Sequence, residues 1–119
     1  MAAPILVVDD EAELLETYSR LLARDGFRVV TADSCATALR ALDEQRFSLV
    51  IADIRLSDGD GLDVVRRARA GATPIPAIVV SGFGSQTVRA AAAQAGAAAF
   101  FAKPFEAATL AARVRHLVQ

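Results

Sequence analysis

The sequence predicts an α/β fold, with one parallel sheet and helices packed on both of its faces. Short apolar runs alternate with amphipathic stretches five times along the 119 residues. The apolar runs contain few polar residues, which is typical of strands that are buried on both faces. The connections are as short as those of βα units, so each helix is expected to return the chain to another parallel strand.

Five strands are predicted where β-branched or aromatic residues cluster between turn-forming residues. They cover residues 5–9, 27–31, 47–53, 77–81 and 98–102. Pro74 and Pro76 lie in the link before the fourth strand, where proline prevents the preceding helix from continuing.

Five helices are predicted, one after each strand. They cover residues 11–24, a segment from about 34 through 42, a segment between Asp60 and Gly71, a segment from Ser85 to Gly96, and residues 106–118. Ser34 and Ser85 are suited to the N-cap position, where a side-chain oxygen accepts a backbone hydrogen bond. Gly26 can adopt the left-handed conformation that ends a helix.

Length and composition indicate one compact domain. A chain of 119 residues can bury one core but not two, so residues 1–119 are expected to form a single domain. No stretch approaches the roughly 20 apolar residues of a spanning helix, and the N-terminus carries no apparent secretory signal. The lone Cys35 fits a reducing cytoplasm, and the formal net charge of -1 gives no general attraction to nucleic acid or anionic membrane.

Charged and hydroxyl side chains stand at the ends of four predicted strands. Asp9 and Asp10 follow the first strand, Asp53 ends the third, Ser81 ends the fourth and Lys103 follows the fifth. Because ligands bind at the carboxyl edge of an open parallel sheet, these side chains are expected to share one pocket. Gathered carboxylates repel one another unless a cation neutralises them, and oxygen ligands without His or Cys favour Mg²⁺.

Such a pocket suits the transfer of a phosphoryl group to a carboxylate. Mg²⁺ and Lys103 would stabilise the equatorial oxygens of the group, and the Ser81 hydroxyl could donate to one of them. A carboxylate that attacks phosphorus forms an acyl phosphate, which is a form of covalent catalysis. The residues therefore predict a pocket in which a carboxylate can accept a phosphoryl group.

Over essentially its whole length, the sequence resembles a response-regulator receiver domain of two-component signalling, of the single-domain type. The family pattern is an acidic pair after the first strand, a phosphoacceptor Asp after the third, Thr or Ser after the fourth, and Lys-Pro after the fifth. Here these positions are Asp9-Asp10, Asp53, Ser81 and Lys103-Pro104. The resemblance implies a doubly wound, flavodoxin-like sheet in the strand order 2-1-3-4-5, with five helices.

The resemblance also implies a role for each site residue. Asp53 would be the phosphoacceptor, with Asp10 and Asp53 as direct Mg²⁺ ligands and Asp9 acting largely through water. The backbone carbonyl of Arg55 would supply a further ligand. The Lys103–Pro104 peptide bond is implied to be cis, which X-Pro bonds permit at modest cost.

Output in the family depends on a hydroxyl and an aromatic ring, here Ser81 and Phe100. Phosphorylation would draw Ser81 toward the phosphoryl group, and Phe100 would then rotate inward through packing alone, because it lacks the hydroxyl of tyrosine. Arg55 and Phe83 stand where the family tunes the lifetime of the acyl phosphate. Ser57 replaces the usual proline of the loop after the acceptor, which would loosen its backbone.

The implied partners are proteins. A sensor histidine kinase or histidine phosphotransfer protein would donate the phosphoryl group, and a downstream effector protein or an effector domain absent from this chain would receive the signal. No direct contact with nucleic acid or membrane is implied, and the domain would assist its own phosphorylation and dephosphorylation without being a metabolic enzyme. Residues 97–99 are alanines where dimerising members usually carry acidic residues, so a monomer or weak dimer is expected.

Four other functions fit the sequence less well. A haloacid-dehalogenase-type phosphatase needs a second Asp where Arg55 stands, and a flavin or nucleotide binder would not place Asp9 and Asp10 against phosphate. An EF-hand register with Gly61 at position six puts Leu56 at position one, so a calcium loop fails. A degenerate receiver that only binds partners is disfavoured by the intact acidic pair and lysine.

Overall fold

The computed structural model describes residues 3–82 and 84–118. In chain order the elements are β1 (Ile5–Val8), α1 (Ala12–Arg24), β2 (Val29–Ala32), α2 (Cys35–Glu44), β3 (Leu49–Asp53), β4 (Arg55–Leu56), β5 (Gly59–Asp60), α3 (Gly61–Ala70), β6 (Ala77–Ser81), α4 (Gln86–Ala95), β7 (Ala99–Ala102) and α5 (Ala107–Val118). The predicted alternation of strands and helices is confirmed. Within the described residues, every helix falls short of the length and apolar character that crossing a bilayer demands.

Five strands form one parallel sheet in the order β2-β1-β3-β6-β7. Since β6 and β7 are the fourth and fifth strands of this sheet, the order is the expected 2-1-3-4-5. In the register, Asp53 lies opposite Val80 and Ser81 lies opposite Ala102. The carboxyl ends of β3, β6 and β7 therefore lie at the same edge of the sheet.

The two faces of the sheet carry separate apolar cores, because alternate strand residues point to opposite sides. On one face, Leu6 and Val50 pack in a cluster with residues of α2, α3 and α4. On the other face, Ile5 and Ile51 pack with residues of α1 and α5. The central strands are buried on both sides, which explains their unbroken apolar sequence.

The second strand begins later than the sequence predicts, at Val29 rather than residue 27. The reason lies at the end of α1, where the Phe27 N–H donates to the Leu22 carbonyl at 3.2 Å. That bond belongs to the helix end, so Phe27 has no N–H to give to the sheet. Gly26 before it has a φ of 85°, as expected for a left-handed helix end.

Side-chain caps define the starts of three helices. Ser34 and Ser85 accept hydrogen bonds from the backbone of Thr37 and Val88 at 3.1 and 3.2 Å, so both predicted N-caps are confirmed. Asp60 caps α3 in the same way, accepting from the Leu62 N–H at 2.8 Å. These caps fix the helices that follow β2, the β4–β5 hairpin and β6.

Candidate functional site

Three carboxylates and one lysine meet at the carboxyl edge of the sheet. The Lys103 ammonium donates to Asp9 Oδ2 at 3.1 Å and to Asp53 Oδ2 at 2.9 Å. One carboxylate oxygen from each of Asp9, Asp10 and Asp53 lies within 4.8 Å of the other two. The structure thus brings together the acidic and basic residues that the sequence placed at strand ends.

The members of this cluster differ in burial. Asp9 is 1% exposed and Asp53 is 8% exposed, whereas Asp10 is exposed. Burial raises the pKa of Asp9, although hydrogen bonds from the Glu11 backbone and from Lys103 oppose that rise. Asp9 therefore depends on a neighbouring cation to remain a carboxylate at little cost.

Lys103 supplies that cation in the metal-free protein. Burial by itself would lower the pKa of Lys103, but its hydrogen bonds to Asp53 and Asp9 outweigh burial and raise the pKa above the ordinary value. Because the pKa of Lys103 is raised in the folded protein, its pairing with Asp9 and Asp53 contributes its full stabilisation at any pH below the pKa of lysine in the unfolded chain. This contribution is lost only as the pH rises through the higher folded value, in the alkaline range.

Backbone N–H groups orient both buried carboxylates. The Glu11 N–H donates to Asp9 Oδ1 at 2.9 Å, and the Arg55 N–H donates to Asp53 Oδ1 at 3.2 Å. Each is an aspartate bonded to the backbone two residues further on, the geometry of an Asx turn. The sequence analysis assigns to the site the carbonyl of Arg55 and a tuning role for that residue, but it does not predict these two N–H donors. The sequence pattern that could have predicted these donors is an aspartate at the end of a strand, followed by a loop.

Ser81 completes the pocket, whose wall is otherwise carboxylate, lysine and loop backbone. The lining residues are Asp10, Glu11, Asp53, Arg55, Ser81, Gly82 and Lys103. Ser81 is 1% exposed, and its carbonyl accepts a hydrogen bond from the Lys103 N–H at 2.8 Å. The ends of β6 and β7 are thereby tied together beside Asp53.

Phe100 lies on β7, opposite Val79 of β6. Its ring is half-buried against the core that contains α4, and the guanidinium of Arg89 lies 4.6 Å from the ring centroid. Phe100 thus contacts both the core and an exposed side chain of α4. Phe83, which together with Arg55 is expected to tune the lifetime of the acyl phosphate, lies outside the described residues.

Behind Lys103 the chain passes through a cis Lys103–Pro104 bond to Phe105. The Phe105 ring stacks on Tyr18 of α1, with centroids 6.0 Å apart and planes 12° from parallel. The Tyr18 hydroxyl is buried and has no hydrogen-bond partner among the described residues. Burial, followed by the negative charges of Asp9 and Asp53, raises the pKa of Tyr18 far above its usual range. The single tyrosine of the chain is therefore electrostatically coupled to the acidic cluster.

The loop after Asp53 returns tightly over that residue. The Gly61 N–H donates to the Ile54 carbonyl at 2.6 Å, and a Cβ placed on Gly61 would lie 1.8 Å from the Asp53 carbonyl oxygen. No side chain fits in that space. Glycine is required here because two stretches of backbone are in contact.

We expect Gly61→Ala to destabilise the protein by about 3 kcal/mol, because the clash involves backbone that cannot turn away. Urea unfolding measures the loss. Gly59→Ala, two residues earlier in the chain, is the matched control, since its Cβ would meet the Cys35 side chain at an ordinary 3.5 Å. A loss as small for Gly61→Ala as for Gly59→Ala would show that the close approach is unimportant.

The donor set of the pocket fits a divalent cation. All the side-chain candidates are oxygens, and Mg²⁺ is a hard ion that binds one or two carboxylates while keeping several waters. Asp9, Asp10 and Asp53 offer oxygens close enough for small rotations to bring them around one ion. The acidic cluster can therefore hold Mg²⁺, and Arg55 lines the same pocket.

Fold and site together define a doubly wound α/β domain whose binding pocket is acidic and closed by one lysine. The family profile described as the response regulator receiver domain matches residues 5–115. The chain belongs to this family, whose members are the signalling switches of two-component systems. Receiver domains are generally Mg²⁺-dependent, and the cluster of Asp9, Asp10 and Asp53 could bind such an ion.

Individual relatives agree with this assignment. The transcriptional regulatory protein PrrA of Mycobacterium bovis is 39% identical over 115 residues, which are 97% of this chain and 49% of PrrA. A CheY-like receiver domain protein from Methanospirillum hungatei JF-1 superposes with a TM-score of 0.92 at 25% identity, covering 99% of this chain and 94% of that chain. The BeF3-activated DrrB receiver domain superposes with a TM-score of 0.87 at 28% identity, covering 98% and 97%. The chain thus spans about half the length of PrrA and nearly all of the solved receiver domains.

Proposed function

We propose that Asp53 accepts a phosphoryl group from the phosphohistidine of a sensor histidine kinase or histidine phosphotransfer protein, in a Mg²⁺-dependent reaction. The observation that carries this proposal is the position of Asp53. Its carboxylate is nearly buried, bonded to Lys103 and to the Arg55 N–H, and gathered with two further aspartates. Lys103 and the Arg55 N–H lie where the negative charge of a transferring phosphoryl group would develop, and the two further aspartates would hold a cation beside it.

The chemistry follows from the residues present. An Asp53 oxygen forms the new bond to phosphorus while the bond from phosphorus to the donor imidazole nitrogen breaks, and the imidazole leaves with the electron pair. Lys103 stabilises the phosphoryl oxygens once they replace the Asp53 carboxylate as its partner. Asp10, Asp53 and the Arg55 carbonyl would hold the Mg²⁺ directly and Asp9 would act largely through water. When bound, the ion would supply further stabilisation of the negative charge.

We further propose that Ser81 and Phe100 carry the signal to a partner. The Ser81 hydroxyl, on a residue at the end of β6 that lines the pocket, would donate to a phosphoryl oxygen on Asp53. Because Ser81 and Lys103 are tied through their backbones, a shift at β6 would reach β7, which carries Phe100. Packing of Phe100 against the core would then change the surface presented to an effector.

The remaining parts of the proposal concern the whole molecule. Residues 1–119 act as one receiver domain in the cytoplasm, as a monomer or weak dimer, and signal to an effector protein or to an effector domain outside this chain. The domain assists its own phosphorylation and dephosphorylation and is not a metabolic enzyme. It makes no direct contact with nucleic acid or membrane.

Labelling by a small phosphodonor tests the proposal. We expect acetyl phosphate with Mg²⁺ to add one phosphoryl group to the wild-type protein, as measured by intact-protein mass spectrometry. Removal of Mg²⁺ with EDTA should reduce the labelling rate by about a hundredfold or more, since the carboxylates would then repel the donor. Equal labelling with and without Mg²⁺ would contradict the proposed role of the acidic cluster.

A further inference from the structure

The segment directly after Asp53 folds as a hairpin. β4 and β5 pair antiparallel, and Ser57 and Asp58 form the tip between them. Leu56, the last residue of β4, is 8% exposed and anchors that strand in the core. A hairpin with strands of two residues is far too short to be stable alone, so its position depends on what holds it from outside.

Asp58 ties the tip of this hairpin to α2. Its Oδ1 accepts from the Cys35 N–H at 2.8 Å, and its Oδ2 accepts from the Ala36 N–H at 3.0 Å. These N–H groups are among those that the first turn of a helix leaves without partners within the helix. The bonds from Ala36 and Cys35 lower the pKa of Asp58, as expected when backbone N–H groups stabilise the charged carboxylate. The hairpin therefore supplies a cap to a helix more than twenty residues earlier in the chain.

The same hairpin holds a donor on Asp53. Arg55 begins β4 and pairs with Asp60 of β5, and the Arg55 N–H is the group that donates to Asp53 Oδ1. Arg55 also lines the pocket beside Asp53 and Lys103. Displacement of the hairpin tip would thus carry the Arg55 backbone away from the carboxylate that it orients.

We propose that Asp58 is a positioning residue of the phosphoacceptor site, which ties the β4–β5 hairpin to α2 and thereby keeps the Arg55 backbone on the Asp53 carboxylate. The inference rests on the proposed function of Asp53. The tether also bears on Ser57, a position at which a proline would restrict the backbone of the loop. In this chain the long-range tether from Asp58 provides the restriction that Ser57 cannot.

Amide hydrogen exchange, measured by NMR without metal or phosphodonor, tests the tether itself. In Asp58→Ala we expect the Arg55 amide to exchange about tenfold faster, because the loop opens more often. Ser34→Ala is the matched control, since it removes the other cap of α2, on the Thr37 N–H, and leaves the hairpin bound. Both variants should speed exchange at the start of α2, and only Asp58→Ala should speed it at Arg55.

Mg²⁺ affinity, measured by calorimetry, tests the consequence for the site. We expect Asp58→Ala to weaken Mg²⁺ binding about fivefold, the size of effect that loss of a helix cap has on a local equilibrium. Asp58→Asn keeps one acceptor oxygen and should lie between this variant and the wild type. Asp63→Ala removes the same charge from an exposed pair with Arg66 and should leave the affinity within about twofold of wild type.

The proposed tether would be wrong if the Arg55 amide exchanged at the same rate in Asp58→Ala as in Ser34→Ala, and if Asp58→Ala bound Mg²⁺ with the same affinity as Asp63→Ala. The exchange measurement needs no phosphodonor, so it judges the tether even if Asp53 accepts no phosphoryl group. Conversely, the wild-type protein could bind Mg²⁺ but fail to be labelled, while Asp58→Ala still speeds exchange of the Arg55 amide. That result would contradict the proposed function and support the tether.

Discussion

Asp53→Asn is expected to lose labelling by acetyl phosphate and Mg²⁺ by about a hundredfold or more, because the amide cannot form an acyl phosphate with a small donor. The variant should still fold. Asparagine keeps one of the two oxygens that accept from the Arg55 N–H and from Lys103, and it removes one of the three crowded negative charges. Intact-protein mass spectrometry over a time course measures the rate of labelling, and urea unfolding confirms the fold.

Asp63→Asn is the matched control for this variant. It makes the same chemical change at an exposed aspartate of α3, whose only described ion pair is with Arg66 at 2.9 Å. Labelling of Asp63→Asn should equal that of the wild type. If Asp53→Asn and Asp63→Asn were labelled equally, the phosphoryl group would have to reside elsewhere and the assignment of Asp53 would be wrong.

Lys103→Met is expected to lower the free energy of unfolding at pH 8 by about 3 kcal/mol in the absence of Mg²⁺. The substitution keeps the volume of the stem and removes the ammonium group that Asp9 and Asp53 share. A buried carboxylate left without its partner is costly, and Asp9 is almost wholly buried. Urea unfolding in EDTA measures the loss.

The loss of stability in Lys103→Met is expected to become smaller as the pH falls. Burial already raises the pKa of Asp9 in the folded wild type, and removal of Lys103 raises it further. Because the folded protein then binds the proton more tightly than the unfolded chain, the destabilisation disappears as the pH falls through the raised pKa. Added Mg²⁺ should also restore stability, since it binds the folded carboxylates.

Arg66→Met is the control for Lys103→Met. It also removes one positive charge, but its partner Asp63 is exposed, and exposed pairs contribute about 1 kcal/mol or less. We expect little change in stability and no recovery with Mg²⁺. Equal losses of unfolding free energy in Lys103→Met and Arg66→Met would mean that the pairing of Lys103 with Asp9 and Asp53 contributes no more than an exposed pair.

The fold was largely predictable because its signals are local. Ser34 and Ser85 are followed by helices that they cap, and the apolar runs coincide with the sheet strands to within one or two residues. The second strand was misplaced at Phe27 because a hydrogen bond to Leu22 keeps that residue at the helix end. The apolar character of Phe27, which is partly buried in the core, gives no sign of this bond.

The site was predictable in its members but not in its arrangement. Strand ends indicated which aspartates would gather, yet nothing in the adjacent pair distinguished Asp9, which is buried and bound to Lys103, from Asp10, which is exposed. The tether from Asp58 to α2 joins residues that are 22 and 23 positions apart. Contacts of that range follow from the packing of the hairpin against the helix, and a local pattern does not contain them.

The most direct measurement is to identify the phosphorylated residue itself. After reaction with acetyl phosphate and Mg²⁺, borohydride reduces an acyl phosphate of aspartate to homoserine, and peptide mass spectrometry locates the change. We predict homoserine at position 53 and at no other aspartate. Homoserine at Asp9 or Asp10 instead, or a phosphoryl group found on a serine or on His116, would contradict the account.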